Sequence, residues 1–231
     1  MKNGISLFSI ILLLFISIQS FAQIRFGVRA GLNLATMTVV DLGDAKQEMS
    51  PSFHIGGIAE YSLSESFCIE SGLLLSGKGS KIVFSENQGG VTFAGTATIS
   101  PLYLEIPINA LYKFDIGSSR LHLFAGPYLG FGIAGKTKAT YTASGLPTGT
   151  TLSSLGLNDA SANIKFGTTA DSDMKGSDFG LNIGAGIEIK NILFRLQYGL
   201  GLSNLDPEGL SDKDFKNRVI GISVGYLFGG E

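Results

Sequence analysis

Hydrophobic and polar residues alternate with a period of two through eight segments of the chain, a pattern that predicts strands rather than helices. The longest segment is "LYLEIPINALYKF", residues 102 to 114. Leu102, Leu104, Ile106, Ile108, Ala110, Tyr112 and Phe114 fall on one side of it, and Tyr103, Glu105, Pro107, Asn109, Leu111 and Lys113 on the other. An apolar face this long exceeds an ordinary half-buried strand and matches the length that crosses a bilayer. The same alternation runs through residues 24–34, 53–63, 67–75, 121–133, 179–189, 192–202 and 220–228.

The apolar faces of the eight segments hold about 48 positions and no charge, where the chain-wide charged fraction of 16% would put about eight. A solvated sheet face would not exclude charge so completely. A lipid-facing one must, because Lys or Arg at the bilayer midplane costs roughly 2–4 kcal/mol. The opposite faces carry Arg25, Arg29, Glu60, Glu70, Glu105, Lys113, Glu188 and Arg195 among many glycines. Long charged side chains mixed with glycine suit the limited interior of a small barrel.

The connections between segments measure about 18, 3, 26, 6, 45, 2 and 17 residues, alternating long and short as in outer-membrane barrels with short periplasmic turns and long external loops. Phe26, Tyr61, Phe67, Tyr112, Phe114, Phe194, Tyr226 and Phe228 then fall at the periplasmic strand ends, and Phe53, Phe131 and Phe179 at the outer ends. These are the aromatic girdles of the two bilayer interfaces. The expected fold is all-β: an eight-stranded antiparallel up-and-down transmembrane β-barrel with a filled polar lumen and long external loops. Within those loops, residues 81–84 and 91–93 predict a hairpin closed by "SENQGG". Residues 136–177 predict a mobile loop with a strand extension at "KATYT". Pro107, which gives up a ladder hydrogen bond inside a strand, predicts a local bulge.

Composition sharpens this picture. Glycine is abundant at 32 residues, the net charge is only -2, and mean hydropathy is +0.29. There is no basic excess for nucleic acid. The one long apolar run is N-terminal: Lys2, then Ile5 to Ile18, then Ser20-Phe21-Ala22. It reads as a Sec-type signal peptide, residues 1–22, cleaved near Ala22-Gln23, ahead of a barrel domain spanning 23–231. Cys68 is the only cysteine and can form no internal disulfide.

The inward charges are nearly balanced, which favours a paired network filling the lumen. A pore lining is the alternative, but a selective channel more often carries an excess of one sign. Arg25, Arg29 or Arg195 are the expected partners of Glu105. Catalysis is not expected: the two histidines, His54 and His122, fall at opposite ends of the barrel. A rim hydrolase built from His54, Ser52 and Asp41 or Asp44 is the remote alternative. With one cysteine and two separated histidines, no metal site or cofactor is expected.

"SPLYLEIPINALYKF" followed by "HLFAGPYLGFGI", the N-terminal "FGVRAGLNLA" and the closing "GISVGYLF" together resemble the PorT-type outer membrane β-barrel family of the Bacteroidota. Leu104 to Pro107 and Gly126-Pro127-Tyr128 are the most specific part, and the similarity covers residues 24 to 228. The resemblance implies an outer-membrane location and, through the family's namesake, an accessory role in type IX-like protein secretion; surface binding and a small channel are the other readings. The implied partners are outer-membrane lipid, the barrel assembly machinery, and either secretion-system components or an extracellular ligand. Phe228 is followed by Gly-Gly-Glu, whereas many such barrels finish on the aromatic residue.

Overall fold

The computed structural model describes residues 24–38, 45–207 and 215–229. The signal peptide expected at residues 1–22, with its cleavage site, and Asp41 and Asp44 lie outside these residues. Eleven strands form one sheet: β1 (Ile24–Met37), β2 (Lys46–Glu48), β3 (Ser50–Ser62), β4 (Phe67–Gly77), β5 (Ser80–Gln88), β6 (Val91–Ile116), β7 (Ser119–Ser144), β8 (Ala160–Asn163), β9 (Ser177–Ile189), β10 (Ile192–Gly201) and β11 (Asn217–Phe228). Every strand pairing is antiparallel, and no α-helix occurs among the described residues. The sheet order is β2-β5-β6-β4-β3-β1-β11-β10-β9-β7-β8. A further ladder joins β6 to β7, which stand far apart in that order, so the sheet turns back on itself.

Each of the eight alternating segments coincides with a strand, two of them overrunning it by one residue, at Leu63 and Leu202, and alternation decides which side chains are buried. Leu32 is 70% exposed while its neighbour Asn33 is 1% exposed; Ile183 is 60% exposed while Asn182 is 4%. The sheet has apolar residues outside and polar ones inside, the inverse of a soluble protein and the arrangement lipid demands. The girdle aromatics stand on the outer face and pack against one another: the rings of Phe67 and Tyr112 are 5.9 Å apart, and those of Tyr226 and Phe228 5.3 Å. Such edge-on pairs have the geometry that aromatic quadrupoles favour.

Glycines make room for rings on the inner face. Along the β7–β9 ladder, His122 lies opposite Gly186, Phe124 opposite Gly184 and Tyr128 opposite Gly180. A Cβ on any of these glycines would stand 2.5–2.7 Å from the facing ring. The interior is therefore filled across strands, a large residue on one over a bare backbone on the next.

β6 and β7 are each 26 residues long, and their far halves leave the ladders with β4 and β9. There β5 pairs with β6 and β8 with β7, and β2 pairs with β5, so a five-stranded blade continues past the ends of the other strands. The predicted hairpin is β5–β6, closed by Gly89 and Gly90 at φ 61° and 84°. Two consecutive residues at positive φ are what a type I′ turn requires and what glycine permits. The strand extension at "KATYT" also exists, as part of β7. The expected loop over 136–177 is therefore partly regular structure, since β7 runs to Ser144 and β8 lies within that range.

The bulge expected at Pro107 is not there. Ser71↔Ile108 and Leu74↔Glu105 keep one register across it on the β4 side, with pairing dropping out only between them. The Ser71 hydroxyl donates to the Pro107 carbonyl at 2.9 Å. A missing N–H interrupts bonding without requiring an extra residue. The register shift falls instead between Leu102 and Tyr103, which pair with Ala134 and Gly132 and leave Ile133 as the extra residue. It marks the level at which β6 and β7 enter the blade, where a bulge supplies bend and twist.

Candidate functional site

The inward side chains assemble into three tiers of ion pairs, built by strands that bring residues far apart in sequence to one level. At the end where β1 begins, Arg25 bonds Glu60 at 2.6 Å and Glu188 at 2.5 Å, and Lys113 reaches the same two carboxylates at 2.7 and 3.1 Å. In the middle tier Glu70 is held by Arg195 at 2.6 Å and Arg29 at 3.2 Å, and Asn109 donates to it at 3.4 Å. Arg195 also donates from Nε to His122 Nε2 at 3.0 Å and lies 4.7 Å from the Phe124 ring centre. Towards the blade, Lys78 bonds Glu105 at 2.7 Å and Asp178 at 3.0 Å, with its ammonium 3.9 Å from the ring centre of Tyr128. Tyr128, Ser203 and Asn217 all donate to Asp178.

All eight inward charges read from the sequence lie in these tiers, though not always with the expected partners. Glu105 is bonded to Lys78 rather than to Arg25, Arg29 or Arg195. Those arginines are held by the carboxylates of the other two tiers. Lys78 and Asp178 are the two members that sequence reasoning missed, because each lies just beyond an assigned segment. Parity was the available signal: Lys78 continues the inward series Glu70, Gly72, Leu74, Ser76, and Asp178 the series Glu188, Gly186, Gly184, Asn182, Gly180.

With these two, the tiers hold, among the described residues, five cations, Arg25, Arg29, Lys78, Lys113 and Arg195, and five carboxylates, Glu60, Glu70, Glu105, Asp178 and Glu188. An unpaired ion in such surroundings would cost several kcal/mol, and matched ions avoid that penalty. A small cavity of about 10 Å³ lies beside Lys78, lined by Glu105, Tyr128, Asn182 and Gln197 among others, with room for about one water molecule. Above it Met37, Ile164, Met174 and Leu205 form an apolar cluster, joined by Ile99, Phe166 and Phe215. Phe166 packs on Tyr103 with ring centres 6.1 Å apart and lies over Gly132, so this cluster roofs the paired interior.

His54 is 3% exposed and bonds through Nδ1 to Asn33 Oδ1 at 2.8 Å. No bond joins it to Ser52 among the described residues. A general base at the rim needs access to substrate, and this imidazole faces the interior. Among the described residues no cluster of histidine, cysteine and carboxylates could hold a metal ion.

An antiparallel sheet turned back on itself, apolar outside and ion-paired inside, defines a membrane β-barrel protein of the outer-membrane type. The chain belongs to the family described as outer membrane protein beta-barrel domain, whose model matches residues 19–206. No curated protein matches the sequence. Solved structures similar to the chain include Ail, the attachment invasion locus protein of Yersinia pestis, with 12% identity and a TM-score of 0.39 over 88% of this chain and 98% of that one. Another is outer membrane protein W of E. coli, with 15% identity and a TM-score of 0.41 over 88% and 97%. A third is OprG of Pseudomonas aeruginosa, with 15% identity and a TM-score of 0.39 over 89% and 96%.

Proposed function

We propose that eight of the strands close into a non-conducting outer-membrane barrel that holds the blade of β2, β5, β6, β7 and β8 outside the cell as a binding surface. The pairings β1-β3-β4-β6-β7-β9-β10-β11 lead back to β1, which supports the closure and the count. The observation that carries the function is that every interior charge among the described residues is paired, beneath an apolar roof. A lumen filled in this way offers no path for solute, and it makes a rigid base for the strands that rise from it. The barrel is a scaffold and not an enzyme, and its partner is an extracellular ligand.

The narrower PorT-type placement, and with it a role beside secretion-system components, rests on the sequence resemblance alone. Photo-crosslinking in living cells tests the binding role. A crosslinkable residue in place of Tyr141 or Phe84, which pack on each other in the blade at 6.4 Å, is expected to give a discrete adduct of higher mass. The same residue in place of Ile222 on the lipid face is expected to give lipid adducts only. Blade positions that yield no adduct would contradict the binding role. Adducts confined to periplasmic components would point to secretion instead.

A further inference from the structure

On the outer face, at the level of the Ile133 bulge, lies a cleft of about 910 Å³ that the paired interior does not explain. Its lower wall is apolar, with Pro51, Leu102 and Ile133; its upper wall carries Lys136, Lys138 and Asn163. The polar groups stand in cross-strand rows. Lys136 on β7 pairs with Ser100 on β6 and with Asn163 on β8, and Lys138 pairs with Thr98 and Ser161 in the next row. Each lysine therefore has a hydroxyl from β6 directly opposite, within about 5 Å between Cβ atoms.

The chemistry of this cleft follows from its height. Ile133 is the last large apolar residue exposed on the lipid face of β7, two positions above the girdle residue Phe131. Lys136 lies three residues further on, about 10 Å along the strand and about 7 Å in height at a 45° tilt, which is the depth of one headgroup layer. Other lysines near this level are paired: Lys81 bonds Glu48 at 2.8 Å, and Lys78 bonds two carboxylates inside. Among the described residues Lys136 and Lys138 have no ion pair, and no carboxylate lines the cleft. Two adjacent uncompensated ammonium groups above an apolar wall, on a chain of net charge -2, select an anion attached to hydrocarbon.

We propose that this cleft is a binding site for a phosphorylated lipid of the outer leaflet. The acyl chains lie along Leu102 and Ile133. The phosphate is held by Lys136 and Lys138, with hydroxyl donors from Ser100 and Thr98. The assignment rests on the barrel orientation proposed above, with the blade outside.

The test uses the refolded full chain in detergent and, as probe, a diphosphorylated acylated glucosamine disaccharide, with retained lipid counted by native mass spectrometry. The dephosphorylated lipid and inorganic phosphate are the comparison arms. Wild-type protein is expected to retain the phosphorylated lipid and to release the dephosphorylated one. Lys136→Gln with Lys138→Gln is expected to bind about 30-fold more weakly, at about fivefold for each lysine near an anionic surface. Lys136→Arg with Lys138→Arg is expected to keep most of the affinity, and inorganic phosphate is expected not to displace the lipid.

Equal retention by wild type and the glutamine pair would overturn the site. So would equal retention of the two lipids by wild type, a comparison that needs no variant. Displacement by inorganic phosphate would reduce the cleft to a simple anion site and would also overturn the lipid assignment. Heat-modifiable gel migration on the same samples reads the barrel separately, so a failure of the fold is distinguished from a failure of the cleft.

Discussion

At the level of single residues, matched ions hold the interior together. Glu70 is fully buried between Arg29 and Arg195, so Glu70→Ala strands two guanidinium groups in the interior. Breaking a buried pair from one side typically costs 3–5 kcal/mol, and a loss of about this size is expected in the urea unfolding of the protein in lipid. Lys113→Met leaves Glu60 and Glu188 with Arg25 as their shared cation and is expected to destabilise less than Glu70→Ala in the same measurement. A larger loss from Lys113→Met would contradict the tier assignments. Gly184→Val sets a side chain against the Phe124 ring, 2.5 Å from the glycine's would-be Cβ, and against the Leu196 carbonyl at 2.3 Å. Overpacking of this kind typically costs 1–3 kcal/mol, so the urea midpoint is expected to fall, whereas Ala185→Val on the outward face is expected to leave it unchanged.

At the element scale, strands and faces were legible because lipid imposes a strict rule on every second residue. Leu104, Ile106 and Ile108 announce their face with no reference to the rest of the chain. The blade was harder to read, because above the membrane both faces meet water or protein and the contrast fades. Residues 136–144 set Lys, Thr and Ser against Thr, Ala and Tyr, a weak alternation that resembles a polar loop. The position of the bulge was also hidden, since Pro107 advertises a lost hydrogen bond while Ile133 carries no local signal of an inserted residue. If the blade is an appendage on the barrel, replacing residues 82–98 by a tight turn is expected to leave heat-modifiable migration intact. Loss of the heat shift would show that the blade is needed for the barrel to form.

At the scale of the whole molecule, the interior charges among the described residues sum to zero and the apolar strand faces carry none, so the membrane-spanning part of the fold is governed by contact with lipid and by internal pairing. The sequence showed eight members of the paired interior but not their partners, because partner choice depends on strand stagger and side-chain reach, which alternation does not encode. Glu105 illustrates this: its parity was readable, yet its bond to Lys78 depends on how far β4 climbs before the chain turns into β5. The proposed barrel stands on a lumen that is filled and paired throughout. Single-channel recording of the refolded protein in planar bilayers tests it most directly. No stable open state is expected for wild type. A steady ohmic current through wild-type protein would contradict it.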